Sequence, residues 1–118
     1  MPVSWVEHRG KSILYVDYRG LGSTECLVTL RDQAAAIAAA PEPVLTLVDA
    51  RGARFDSQFM DAAKALGPQN STRTRKRAVV GAEGLKGLLL GFFNVVATPV
   101  PMMPFKTVDE ALAYLTEP

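Results

Sequence analysis

Val44 to Val48 form a charge-free, largely apolar run held between Pro43 and Asp49. A strand with one wet face alternates apolar and polar side chains, whereas such a run has to be covered on both sides, as in the middle of a parallel sheet. Parallel neighbours need crossover connections, so the flanking chain must supply helices. Upstream, Ser23 stands as an N-cap with Glu25 in the first turn, and Leu27, Leu30, Ala34, Ile37 and Ala38 recur on one side of a helix that Pro41 ends. Arg31, Asp32 and Gln33 are expected to face water. Downstream, Asp56 can cap a helix from Ser57 to Leu66, with Phe55 and Met60 as a hydrophobic staple and Gly67-Pro68 as the stop.

The remaining elements follow from the same signals. Val3 to His8 alternates, Arg9-Gly10-Lys11 turns, and Ser12 to Tyr18 is rich in β-branched and aromatic residues, which predicts an antiparallel hairpin. Gln69 to Thr74 is polar and expected as a surface loop, followed by a strand over 75–81. Gly81 to Gly84 turns into an apolar helix, Leu85 to Val96. Thr98 to Pro104 holds three prolines and must be extended. Thr107 and Glu110 then form a capping box, with Val108, Ala111, Leu112 and Leu115 on one face of a closing helix. The expected fold is α/β: a mixed, mostly parallel sheet of about five strands (3–8, 12–18, 44–48, 75–81 and 102–105) with four helices.

At 118 residues, 48% hydrophobic and 21% charged, the chain suits one domain over 1–118 with a real core. Its net charge of +1 provides no global field toward nucleic acid or an acidic membrane. The single cysteine, Cys26, can form no internal disulfide, and the start lacks a signal-peptide core, so a cytoplasmic protein is expected. No cofactor motif and no metal-ligand spacing is present. Gly81, Gly84 and Gly87 lack the Rossmann or P-loop pattern and are explained by turn geometry.

In order and spacing, ILYVDYRGL, LTLVDARG, RAVVGAEGLKGLLLGFF and FKTVDEALAYL resemble the SpoIIAA-like branch of the STAS superfamily, small bacterial domains some of which are likened to CRAL-TRIO lipid carriers. The four pieces cover most of the chain. Two departures are Tyr114, where tryptophan is common, and the scarcity of charge after Lys86. The resemblance implies a small domain of mixed sheet and helices that regulates or binds and does not usually catalyse. It also makes Ser57 a candidate phosphosite, because antagonists of anti-sigma factors carry a phosphorylatable serine at a helix start after an aspartate-bearing strand. Here the usual Asp-Ser-Ser-Gly is Asp56-Ser57-Gln58-Phe59.

Three other groups could carry function. Arg73, Arg75, Lys76 and Arg77 could hold an anion, although strand alternation splits them between faces and no aromatic is interleaved for nucleic acid. Asp17 and Asp49 end strands where sites form in open sheets, and could serve a metal-assisted hydrolase. Gly87 to Phe105 is charge-free, but Pro99, Pro101 and Pro104 leave a helix of only about 11 residues, roughly 16 Å against the ~30 Å a membrane span needs. Its two faces, one of Leu85, Leu88, Leu89, Phe92, Phe93 and Val96 and one of small residues, suggest burial or a partner. The expected contact residues are Leu88, Leu90, Gly91, Phe92, Val95, Met102 and Met103, taking a hydrophobic ligand, a membrane surface, a protein partner or a second copy of the chain.

Overall fold

The charge-free run does lie at the centre of a sheet: β3 (Val44–Asp49) is the middle of five strands, and each of its residues is buried. The computed structural model describes residues 2–53, 55–81 and 102–118. The strands stand side by side in chain order, β1 (Val3–His8), β2 (Lys11–Asp17), β3, β4 (Thr74–Val80) and β5 (Met102–Phe105). β1 and β2 are an antiparallel hairpin whose two-residue loop, Arg9-Gly10, has both φ angles positive, as such tight hairpins favour. The other neighbouring pairs are parallel.

Helices α1 (Ser23–Ala39) and α2 (Ser57–Thr72) cover one face, and α3 (Val108–Leu115) lies on the other. The period-two alternation of the strands divides the core accordingly. Leu14, Val16, Val48 and Val79 pack with Cys26, Leu30, Ile37, Phe59 and Ala63 on the first face. Ile13, Leu45, Leu47, Ala78 and Val80 pack with Ala111 and Leu115 on the second. The expected mixed α/β architecture with five strands is present, with three helices among the described residues. The helix expected over 85–96 lies outside them.

Several local expectations are corrected. Helix α2 does not stop at Leu66 but runs through Gly67 and Pro68 to Thr72, so most of the polar stretch expected as a loop is helical. A proline inside a helix removes one hydrogen bond and crowds a carbonyl one turn back, yet burial of Phe59 and Ala63 outweighs that local signal. Helix α1 takes Gly22 as N-cap, without a side-chain cap, in place of Ser23. Its buried face is Cys26, Thr29, Leu30, Gln33 and Ile37, whereas Ala38 is exposed. Gln33 turns inward because the buried Tyr18 hydroxyl needs an acceptor, and it donates to Gln33 Oε1 at 2.8 Å.

The start of α3 is as expected. The Glu110 amide donates to Thr107 Oγ1 (3.2 Å), and the Thr107 hydroxyl lies 3.1 Å from Glu110 Oε1. Thr107→Ala is expected to lower stability by about 1 kcal/mol and Thr107→Ser by a few tenths at most, read from urea midpoints. Equal midpoints for Thr107→Ala and the wild type would remove the cap from the account.

Candidate functional site

β2 and β3 end alike, in Val16-Asp17-Tyr18-Arg19-Gly20 and Val48-Asp49-Ala50-Arg51-Gly52. Asp17 and Asp49 are register partners on the α3 face of the sheet, and each is followed by a turn with glycine at positive φ, 67° for Gly20 and 68° for Gly52. Each turn brings an arginine back onto its own aspartate. Arg19 Nε and Nη2 each donate at 2.9 Å to Asp17, and Arg51 Nε and Nη2 donate at 2.8 and 2.6 Å to Asp49. The two clasps are joined: Tyr15 donates its hydroxyl to Asp49 Oδ2 at 2.8 Å, and Arg19 Nε lies 3.6 Å from the same oxygen. The end of β4 is drawn in as well, since the Ala50 amide donates to the Val80 carbonyl and Gly81 packs against the Arg51 backbone.

The electrostatics follow from this geometry. Burial would raise the Asp49 carboxyl, whose side chain is fully enclosed, but hydrogen bonds from Arg51 and Tyr15 outweigh it and hold the group below the usual carboxylate range. Arg19 does the same for Asp17 through its side-chain hydrogen bonds. Burial first, and then the hydrogen bond to Asp49, pushes the Tyr15 phenol up to about 12. Both carboxylates are thus charged and engaged at both oxygens by guanidinium forks, the strong bidentate form of such pairs. This is a clasp that fixes strand ends. The two carboxylates that could serve a metal-assisted hydrolase are each held here by an arginine.

Beside the clasp runs a groove between the β1–β2 hairpin and α3. It has a volume of about 350 Å³ and is lined by Val6, Glu7, His8, Tyr15, Val108 and Leu112. Among the described residues α3 packs chiefly on β3, β4 and β5, and the groove lies at its hairpin side. Tyr15 belongs to both features, with its side chain in the groove wall and its hydroxyl on Asp49.

The other expected site residues are dispersed. Ser57 is exposed as the first residue of α2, and the Phe59 amide donates to Asp56 Oδ1 at 2.9 Å, so an aspartate already caps this helix. The basic cluster is no single anion site. Arg73 donates to the carbonyls of Ile37 and Ala40 at the end of α1, while Lys76 donates to those of Tyr114 and Glu117 (3.0 and 3.1 Å) at the end of α3. These are helix C-termini, where a cation is favoured. Arg77 is buried, and that burial pulls its guanidinium down to about 10; Arg75 is exposed. Met102 is buried toward α1 and α2, whereas its neighbour Met103 is exposed, as alternation requires. Leu88, Leu90, Gly91, Phe92 and Val95 lie outside the described residues. Cys26 is buried in the core.

Sequence reasoning found Asp17 and Asp49 but not Arg19 and Arg51. The signal was present as the echo of Val-Asp-x-Arg-Gly at two strand ends, which is too short to count as a structural repeat.

A five-stranded sheet with this hairpin, this strand order and helices on both faces is a SpoIIAA-like fold. The solved structure of a DUF3478-family protein with a SpoIIAA-like fold, from Shewanella loihica, is similar to it with a TM-score of 0.74 and 17% identity, over 96% of this chain and 91% of that one. The likeness at that identity is one of fold. No family model matches the sequence, and no curated protein matches it. Among the described residues no helix is long and apolar enough to cross a membrane.

Proposed function

We propose that the protein is a non-catalytic binding domain that takes a hydrophobic small molecule, such as an acyl chain, in the groove between the hairpin and α3. The observation that supports this most is the open wall of Val6, Tyr15, Val108 and Leu112 beside carboxylates that are already committed. Its volume of about 350 Å³ suits a small ligand, and apolar walls with a few polar groups at one end are the usual composition of such sites. A phosphoswitch at Ser57 is less favoured, because a phosphate there would stand next to the Asp56 carboxylate that holds the helix start.

The test is native mass spectrometry of the purified protein with organic extraction, followed by titration with dodecanoate. A co-purifying or added amphiphile should bind, and Leu112→Trp, which fills the groove, should weaken dodecanoate by about tenfold, a change of ~1.4 kcal/mol. The far-UV spectrum of that variant should stay unchanged. A protein that carries no mass and binds no dodecanoate, or one indifferent to Leu112→Trp, would remove the groove as the site. A stable dimer free of small molecules would assign the surface to self-association.

A further inference from the structure

The opposite end of the sheet, where the parallel strands begin, holds a second cavity of about 480 Å³. Its walls come from the hairpin (Trp5, Lys11), from the segment after α1 (Pro41, Glu42, Pro43) and from the start of β4 (Arg75). Three features set it apart from an ordinary surface hollow. Trp5, the single tryptophan of the chain, is a large apolar side chain that stands 49% exposed here. Arg75 is the extra residue of a β-bulge: Val44 pairs with Thr74 and Leu45 with Lys76, which takes Arg75 out of the ladder. A bulge re-aims a side chain, and this one places Arg75 in the cavity wall while Lys76 and Arg77 keep the regular alternation. Finally, neither Lys11 nor Arg75 has a salt bridge or side-chain hydrogen bond among the described residues, in contrast to Arg73 and Lys76, which cap helix ends.

We propose that this cavity binds a small aromatic anion, whose ring stacks on Trp5 while its acidic group meets Lys11 and Arg75. Indole offers a large flat face for offset stacking, and a flat guanidinium suits a carboxylate or sulfonate. Glu42 at the same wall leaves a net charge of one positive, which favours a singly charged acid over a polyphosphate. This site is separate from the groove by α3, since the two cavities share no lining residue.

Because Trp5 is the sole tryptophan, its fluorescence reports occupancy directly. Titration with naphthalene-2-sulfonate should quench it saturably. Neutral 2-naphthol and the ringless anion methanesulfonate should each bind at least about tenfold more weakly, since each lacks one of the two contacts. Arg75→Glu, at an exposed position, and Lys11→Glu, at a half-buried one, should each weaken the sulfonate by about tenfold or more with the far-UV spectrum unchanged. The proposal is overturned if quenching is absent or non-saturable, if 2-naphthol binds as well as the sulfonate, or if folded Arg75→Glu and Lys11→Glu proteins bind it as the wild type does.

Discussion

Gly81→Ala should destabilise the protein by about 3 kcal/mol, which for a domain of this size lowers Tm by roughly 10 °C. Two effects add. Gly81 has φ +87°, a conformation that disfavours an L side chain by about 1–2 kcal/mol. A Cβ there would also stand 2.7 Å from Arg51 Cγ, 2.8 Å from its N and 2.9 Å from its Cα. Two of those atoms are backbone and cannot swing away, so the turn after β3 has to shift, with an overpacking penalty of about 1–3 kcal/mol. Gly20 provides the internal control, because it too has positive φ but a Cβ on it would meet nothing within 4 Å. Gly20→Ala should therefore lose only about 1–2 kcal/mol. Urea denaturation of both variants measures the difference. Equal losses would show that backbone conformation alone, and not the contact with Arg51, decides Gly81.

The parts of this fold that could be read in the sequence are those set by local chemistry. The charge-free run of β3 required cover on both faces, and α1, α2 and α3 provide it. Thr107 and Glu110 marked a helix start because the cap is made within four residues. Where the sequence misled, a tertiary contact overruled a local rule. Gly67-Pro68 looks like a stop, but the packing of α2 carries the helix past it to Thr72. Gln33 looks like a surface residue, and its inward turn depends on the phenol of Tyr18, fifteen residues earlier in the chain.

The sites show the same division. Strand ends were legible as places where Asp17 and Asp49 would gather, but whether each would be free or clasped depended on the turns that return Arg19 and Arg51. Alternation correctly split the basic cluster between faces. It could not show that one residue, Arg75, leaves the alternation altogether, because a bulge is a property of the pairing with β3 and not of β4 itself.

Asp49→Ala is the other substitution with a large expected effect, a loss of about 3 kcal/mol at neutral pH. The aspartate side chain is fully buried, and it accepts from Tyr15 and from both ends of the Arg51 fork. Removing one partner of a buried pair commonly loses about 3–5 kcal/mol, because a charge is left without compensation. Arg51 is half exposed and can turn to water, which places this site at the lower end of that range. Asp49→Asn keeps an acceptor for Tyr15 and should lose less, about 2 kcal/mol. The pH dependence separates charge from shape. Asp49 and Asp17 have folded carboxyls below their ordinary value of 3.8, so their contribution is complete above that value and is lost as pH falls through the folded one. In a series of urea midpoints, wild type and Asp49→Asn should therefore differ most near neutrality and converge below pH ~3.8 as the wild-type carboxylate takes up its proton. A gap of constant size down to acid pH would mean that Asp49 contributes through shape and neutral hydrogen bonding, and that the charged clasp is not what holds the ends of β2 and β3 together.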